Sequence, residues 1–540
     1  MNAQQWAAFL KVNLVVFVLF IMCGCTSRQK HNKDHLVFKY NEHSNIATLD
    51  PAFARNPQTI WPSNQLFNGL VQLDDQLNIQ PDIAKSWRIN DSTSTYTFTL
   101  RDDVYFHKNK VFKKDSTRAV IAQDFVYSFD RLLSPALASP GSWVLKSVQQ
   151  YHAANDSTFV VQLKKPFPAF LGLLSMRYCS VVPKEAIAHY GNDFRSNPVG
   201  TGAFQFKFWE ENVKLVFRKN PLYFEKDPEG NKLPYLEAVA ITFLPDKQSE
   251  FLQFAQGNID FMTGLDNSYK DEIITTKGAL QPKYSDRVHL ITTPYLNTEY
   301  LGFFMEKPTQ EIASPLIRQA INYGFDRTKM VTYLRNGMGI PAIHGFIPKG
   351  LAGFSAIDGY SYDPEKARSL IQRYITQTGD DKPEVTIGTN SQYLDLCEYI
   401  QRELEKLGLA IKIDVMPPAT LRQMKSSGEL DVFRASWVAD YPDAENYLSL
   451  FYSPNFTPNG PNYTHFKNVV FDSLYVEAQK ISEITKRKVL YTKMDSIVIA
   501  QAPIVPLYYD IAVRFVSNKI TGLGINPQNF LVLKNVKKAK

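Results

Sequence analysis

Apolar and polar residues alternate strictly in a short segment around position 98. Tyr96, Phe98 and Leu100 are apolar, and the residues between them are threonines. Because successive side chains of a strand point to opposite faces of a sheet, this period of two predicts a half-buried β-strand that ends at Arg101.

Other segments place apolar residues three or four positions apart, which is the spacing of one helix face. Phe125, Phe129 and Leu132 follow this spacing, and the pattern stops before Ser134-Pro135. Proline and aspartate signals predict three further helices, which start at Pro315, after a cap at Asp326, and at Asp363-Pro364.

The two periods alternate in one region of the chain. Residues 385–387 predict a strand, residues 394–407 a helix that Gly408 stops, and residues 411–415 a second strand. Strand, helix and strand in this order predict a βαβ unit with a largely parallel sheet, so we assign the chain to the α/β class. With 540 residues and no low-complexity linker, we expect two or three domains.

An apolar run from Leu14 to Met22 lies near the N-terminus, and Gly24-Cys25 follows it. It is shorter than the roughly 20 apolar residues of a membrane-spanning helix, and it predicts a secretory signal over residues 1–24. A cysteine after small residues resembles a bacterial lipobox, so we predict a lipid on Cys25. An uncleaved N-terminal anchor is the alternative. Both interpretations place the chain in the cell envelope, on the periplasmic or extracellular side of a membrane.

Composition is that of a water-exposed body, with 21% charged residues and a mean hydropathy of −0.25. The net charge of +7 is scattered, apart from Lys534, Lys537, Lys538 and Lys540, which we interpret as a solvated tail. Without a basic stripe or motif, we predict no nucleic-acid partner.

Cys179 and Cys397 remain after Cys25 is assigned to the lipid. A disulfide is chemically allowed outside the cytoplasm, and two buried thiols are equally compatible with the sequence.

Catalytic motifs are missing from the sequence. It has nine histidines but no H-E-x-x-H, no G-x-S-x-G, no S-x-x-K and no C-x-x-C. Gly200-Thr201-Gly202 lacks the G-K-[ST] of a phosphate loop, and we interpret it as a tight turn. We therefore predict no catalytic residues, no metal and no cofactor.

Short motifs in a fixed order carry a resemblance that spans almost the whole chain. They are Leu49-Asp50-Pro51-Ala52, Leu66-Phe67-Asn68-Gly69-Leu70, Phe98-Thr99-Leu100-Arg101, Asp124-Phe125-Val126-Tyr127-Ser128-Phe129, Gly200-Thr201-Gly202-Ala203-Phe204, Gly257-Asn258-Ile259-Asp260 and Arg318-Gln319-Ala320-Ile321-Asn322. Together they resemble extracellular solute-binding family 5, the peptide- and nickel-binding receptors of bacterial ABC importers, and within it the oligopeptide branch.

The resemblance implies a type II periplasmic-binding-protein fold, in which two α/β lobes close on a ligand and an extra domain is inserted. In this numbering, lobe I covers 36–62, 195–288 and 505–540, the inserted domain 63–194, and lobe II 289–504. The chain crossings between the lobes then act as hinges.

The most specific segment for ligand binding runs from Arg434 to Asp443 and resembles the family's R-A-x-W-x-x-D. The resemblance implies that Asp440 accepts the α-ammonium of a peptide. The alternative is that Asp-Tyr-Pro-Asp simply forms a turn, which these residue types favour.

Arg434 has two interpretations of the same kind. The resemblance places it near the ligand's C-terminal carboxylate, whereas the structural alternative is an ion pair with Asp431 or a surface acid. The resemblance adds five further candidate binding residues, which are Trp437, Tyr295, Asn297, Tyr508 and Tyr509.

These residues predict a lipid-anchored, monomeric receptor that delivers peptides to the permease subunits of an ABC importer. Within the same fold, the alternative is a receptor for another solute, such as a nickel chelate, haem or an oligosaccharide. A periplasmic enzyme or chaperone is the third hypothesis.

Overall fold

The computed structural model describes residues 36–90, 94–113, 116–266 and 268–539. The predicted signal and the lipidation site at Cys25 lie outside these residues. The described strands, in chain order, are β1 (Val37–Glu42), β2 (Val71–Leu73), β3 (Ile79–Pro81), β4 (Ala84–Ile89), β5 (Thr95–Leu100), β6 (Val148–Asn155), β7 (Thr158–Leu163), β8 (Phe204–Glu210), β9 (Lys214–Lys219), β10 (Ala238–Phe243), β11 (Phe261–Thr263), β12 (Val288–Phe303), β13 (Ile340–Pro341), β14 (Glu384–Thr389), β15 (Ala410–Val415), β16 (Val432–Val438), β17 (Ile504–Ser517), β18 (Ile520–Thr521) and β19 (Lys537–Lys538).

Helices surround these strands. The described α-helices are α1 (Pro57–Leu66), α2 (Ala122–Leu133), α3 (Phe170–Leu174), α4 (Lys184–Tyr190), α5 (Lys247–Ala255), α6 (Lys270–Ile273), α7 (Gln310–Ala313), α8 (Pro315–Tyr323), α9 (Arg327–Leu334), α10 (Pro364–Thr378), α11 (Leu394–Glu405), α12 (Pro418–Ser427), α13 (Glu445–Leu448), α14 (Val469–Ala478) and α15 (Ile484–Gln501).

A mixed sheet forms the centre of the molecule. Its strand order is β15-β14-β16-β12-β17-β11-β1-β10-β9-β8, and β13 adds to β17. The neighbours β14 and β15 are parallel, as are β1 and β10, whereas the long central pair β12 and β17 is antiparallel. Residues 296–303 of β12 are buried on both faces, as expected for a central strand covered by helices.

A second, antiparallel sheet has the order β4-β5-β7-β6. Its inward-facing Tyr96 and Phe98 share one apolar cluster with Phe38 and Tyr40 of the central sheet. Separate clusters surround the β14–β16 region, one of them built around Ile317, which α8 supplies. The predicted domain boundaries stay a prediction, because this packing does not mark where one domain ends.

The predicted elements are present. The alternating segment is β5, which ends at Leu100, and the helical pattern from Phe125 is α2. The predicted helix starts open α8, α9 and α10, and Asp326 accepts hydrogen bonds from the first turn of α9. The βαβ prediction corresponds to β14, α11 and β15, with α11 ending at Glu405, slightly before the predicted end.

The structure decides two interpretations of the sequence, one on the cysteines and one on the C-terminal lysines. Cys179 and Cys397 are both buried free thiols, which resolves the alternative in favour of no disulfide between them. The solvated-tail interpretation is wrong for two lysines, since Lys534 forms an ion pair with Glu225 at 2.6 Å and Lys538 one with Asp260 at 2.7 Å. Both pairs fasten the C-terminal segment to the body of the protein.

Candidate functional site

The register of the central strand pair is irregular beside Tyr295. Along β12 and β17, Pro294 lies opposite Ile511 and Thr298 lies opposite Tyr509, so residues 295–297 face Asp510 alone. Proline has no N–H to give to a ladder, and extra residues on one strand form a bulge that re-aims its side chains. Tyr295 and Asn297 belong to this bulge.

The chain that follows β16 is held in place by two amide side chains. Asn446 Oδ1 accepts hydrogen bonds from the Trp437 indole at 2.9 Å and from the Asp440 N–H at 3.2 Å. Gln528 Nε2 donates to the carbonyl oxygens of Ala439 and Asp440, each at 3.2 Å. The backbone of the Asp440 turn is therefore fixed from both sides.

The carboxylate of Asp440 faces two cavities. We call the first the Tyr295 cavity; it measures about 380 Å³, and its wall includes Arg55, Tyr178, Tyr295, Asp440 and Gln528. We call the second the Trp437 cavity; it measures about 630 Å³, and its wall includes Phe167, Trp437, Asp440, Tyr441 and Asn446. Trp143 lines both.

Asp440 is the acid that this arrangement leaves open. Within the described part of the chain, no cation lies within ion-pair distance of its carboxylate. The Asp440 side chain is exposed, but the protein atoms around it partly desolvate the carboxylate, which raises its pKa to about 6 against a weaker opposing effect of Asn446. A carboxylate in such a position favours a cationic ligand group.

Arg434, in contrast, is already paired. Its guanidinium contacts the carboxylate of Glu299, and the two side chains are only 8% and 2% exposed. The guanidinium carbon also lies 3.1 Å from the centre of the Tyr393 ring. Arg434 therefore forms a structural ion pair, but its partner is Glu299 and not Asp431 or a surface acid.

Asn297 extends this ion pair towards a second acid. Its amide nitrogen donates to Glu299 at 3.0 Å and to Asp510 at 3.3 Å. Burial, followed by the nearby charge of Glu299, raises the pKa of Asp510 to about 6. Arg434, Glu299, Asn297 and Asp510 form what we call the Glu299 network.

A third cavity of about 260 Å³ lies beside this network. Tyr508 and Asp510 are in its wall together with Arg335, and the Arg335 guanidinium lies 2.8 Å from Asp395. Tyr509 instead donates from its hydroxyl to the Gly345 carbonyl oxygen at 2.7 Å, and it is absent from the walls of all three cavities.

The structure thus separates the candidate residues into groups. Asp440 meets Tyr295 in one cavity and Trp437 in the other, whereas Arg434 and Asn297 belong to the Glu299 network. Sequence reasoning missed Glu299 and Asp510. The signal that points to them is an acid flanked by aromatic and aliphatic residues within a strand, since a buried charge requires a partner or a function.

Two searches of the described residues add further information. They contain no group of three or more histidine, cysteine, aspartate or glutamate side chains arranged to hold a metal ion. Among the helices of residues 36–539 outside the undescribed gaps, none is both long and apolar enough to cross a membrane.

Known proteins resemble this chain over nearly its full length. The family model described as "Bacterial extracellular solute-binding proteins, family 5 Middle" matches residues 78–459. The probable deoxycholate-binding periplasmic protein YgiS of Escherichia coli K12 is 27% identical over 528 residues, covering 93% of both chains. The periplasmic oligopeptide-binding protein OppA of Salmonella typhimurium is 26% identical over 528 residues, covering 92% of this chain and 91% of OppA.

A solved structure shows the same fold. The ABC transporter-associated periplasmic binding protein DppA of Helicobacter pylori, in complex with the peptide STSA, matches with a TM-score of 0.76. Its sequence is 24% identical, and the match covers 93% of this chain and 98% of DppA. This likeness confirms the predicted α/β fold of type II periplasmic binding proteins.

Proposed function

Because this chain belongs to family 5 of the bacterial extracellular solute-binding proteins, we propose that it is the peptide receptor of an ABC importer. The observation that carries the proposal is the unpaired carboxylate of Asp440, held by a fixed turn between two cavities. Every peptide with a free amino end carries an ammonium there, so one such acid can recognise peptides of any sequence.

The physical argument rests on desolvation. An ammonium that enters a closed cavity loses its water, and an uncompensated buried charge is expensive. A charge-assisted hydrogen bond to a carboxylate is stronger than a neutral one and offsets that cost. Asp440 supplies the carboxylate, while Trp437 and Tyr295 supply aromatic walls on either side.

The sheet beside Asp440 offers a place for the ligand backbone. β16 pairs with β14 only at Val432 and Phe433, whereas it pairs with β12 along its whole length. From Arg434 to Val438, one edge of β16 therefore has no strand partner among the described residues, although the Tyr447 hydroxyl donates to the Trp437 carbonyl oxygen at 3.2 Å. An extended peptide adds to such an edge through main-chain hydrogen bonds.

The named ligands of related proteins support this class of solute and also define its competitor. OppA is named for oligopeptides, and the DppA structure contains a peptide. YgiS is named for deoxycholate, an apolar solute with an acidic group. The acidic group of such a solute would be repelled by the negative charge of Asp440. We therefore propose peptides as the ligand and an apolar acid as the second candidate.

The test is a two-by-two comparison of protein and peptide. Asp440→Asn keeps the size of the side chain and removes its charge, and loss of one partner of a desolvated pair costs about 2–5 kcal/mol. We expect a peptide to bind the variant roughly 30-fold or more weakly in calorimetry. N-acetylation of the peptide should weaken binding to the native protein by a similar factor.

The combination decides the matter. If Asp440 holds the amine, acetylation adds little further loss in the Asn variant, because both changes remove the same interaction. Losses that simply add would show that the turn interpretation of Asp440 is sufficient. Binding of deoxycholate but of no peptide would favour the second candidate.

We also propose that the receptor is anchored by a lipid on Cys25 and closes around its ligand before it meets the permease. Cys25→Ser should then release the protein from the membrane fraction, and retention there would contradict the lipid. Ligand contacts from both sides of a cleft shift an open–closed equilibrium, so scattering should report a smaller radius of gyration with bound peptide. The proposal includes no chemical step, and hydrolysis of a supplied peptide would revive the enzyme hypothesis.

A further inference from the structure

The Tyr295 cavity contains two cations as well as Asp440. Arg177 and Arg55 both line it. The guanidinium of Arg177 donates to the carbonyl oxygens of Phe67 at 3.2 Å and Ser175 at 3.0 Å, so the chain itself uses its hydrogen bonds. Arg55 is exposed to the cavity, and within the described residues its guanidinium has no hydrogen bond and no ion pair. One cation of the cavity is therefore left for a ligand.

The backbone that carries Arg55 is well fixed. Its N–H donates to the Phe53 carbonyl oxygen at 2.9 Å, and the preceding turn is capped by Asp50, which pairs with Arg131. The next residue, Asn56, caps α1 by accepting the Thr59 N–H at 3.2 Å. A flexible side chain on such a rigid segment can reach only a limited part of the cavity.

Tyr178 connects Arg55 with Asp440. It lines the same cavity, and burial raises its pKa to about 12, with Asp440 adding to the rise and Arg55 opposing it. Arg55, Tyr178 and Asp440 thus line one cavity, and no ion pair joins Arg55 with Asp440. A separation of this kind suits a ligand that brings one charge of each sign.

We infer that Arg55 binds a carboxylate on the same ligand residue that places its ammonium on Asp440. The inference rests on the proposed function and names the ligand class, which is peptides whose first residue is acidic. A planar guanidinium binds a carboxylate through two parallel hydrogen bonds, a geometry that a neutral amide cannot reproduce. Two sources carry this chemistry: an acidic side chain in a normal peptide, and the free α-carboxylate of a γ-linked glutamyl residue.

The test compares three tripeptides by calorimetry. Glu-Ala-Ala and γ-Glu-Ala-Ala are isomers that represent the two sources, and Gln-Ala-Ala lacks the carboxylate. We expect the native protein to bind one isomer about tenfold or more tightly than Gln-Ala-Ala. A charge-assisted hydrogen bond contributes enough binding free energy for a difference of this size. The preferred isomer identifies the source.

Variants then assign the preference to Arg55. Arg55→Gln should abolish the preference while changing the affinity for Gln-Ala-Ala less than about twofold. Arg88→Gln, which alters an exposed arginine of β4 outside all three cavities, is the matched control and should keep the preference. Arg55→Glu should reverse it in favour of Lys-Ala-Ala, and thermal unfolding without ligand verifies that each variant is folded.

The outcomes separate the two proposals. Arg55 does not bind a ligand carboxylate if the native protein binds all three peptides equally, or if Arg55→Gln weakens the binding of all three alike. The peptide-receptor proposal stands in either case. If the native protein binds none of them, the peptide proposal fails and the Arg55 inference fails with it.

Discussion

Strand β16 contains Arg434 near its start, and Asp440 follows just beyond its end. The two charged residues differ in whether the protein itself supplies an ion-pair partner. Arg434 is buried against Glu299 and the Tyr393 ring, and its charge is neutralised within the protein. Asp440 is held by its backbone in a fixed turn, and its side chain lines two cavities without forming an ion pair among the described residues. The charge of Arg434 is thus paired within the protein, whereas that of Asp440 is not.

Asp443, in the same turn, shows that an aspartate there can be satisfied internally. Its carboxylate accepts hydrogen bonds from Arg487 and from the Tyr491 hydroxyl, both at 2.7 Å. A turn alone would explain Asp443. It leaves unexplained why Asp440 is unpaired beside two cavities, which a ligand ammonium would explain.

The largest effect that would test this contrast is on stability. Arg434→Met removes the cation and leaves Glu299 buried and unpaired next to Asp510, so we expect the free energy of unfolding to fall by about 3–5 kcal/mol. Urea unfolding of the ligand-free protein measures it. Adding Glu299→Gln should restore much of the loss, because the uncompensated charge is then removed.

Asp440→Asn is the matched control for this measurement. Because Asp440 has no ion-pair partner to lose and desolvation disfavours its charged form, we expect the free energy of unfolding to stay the same or to rise in this variant. A large loss in this variant, or a small one in Arg434→Met, would remove the distinction between a structural and a ligand-binding charge.

A smaller effect should appear in the pH dependence of peptide binding. Only the ionised form of Asp440 attracts an ammonium, and its pKa is raised to about 6 in the free protein. Affinity should therefore rise with pH through that value, by about tenfold between pH 5 and pH 7, and decline again once the peptide amine loses its proton near pH 8.

Asp510 requires its own control, because burial also raises its pKa to about 6. Asp440→Asn leaves Asp510 in place, so it should remove the rise in affinity between pH 5 and pH 7. If the rise persists in that variant, Asp510 or another buried acid controls binding, and the role assigned to Asp440 is wrong.

Local sequence patterns predicted most of the secondary structure that frames the site. The alternation at β5 and the proline and aspartate signals of α8, α9 and α10 depend on neighbouring residues only, which is why they can be recognised without the fold. Ordered motifs predicted the family, which the family model confirms, and they also made Asp440 a candidate for ligand binding.

Which charges stay free was decided by the tertiary structure alone. Glu299 lies far from Arg434 in the sequence, and only the pairing of β12 with β16 brings them together. The same holds for Arg55, which shares a cavity with Asp440 although the two residues lie far apart in the sequence. Ion pairing and desolvation act over a few ångströms in space, so the sequence determined which charged groups exist and the fold determined which of them are left for a ligand.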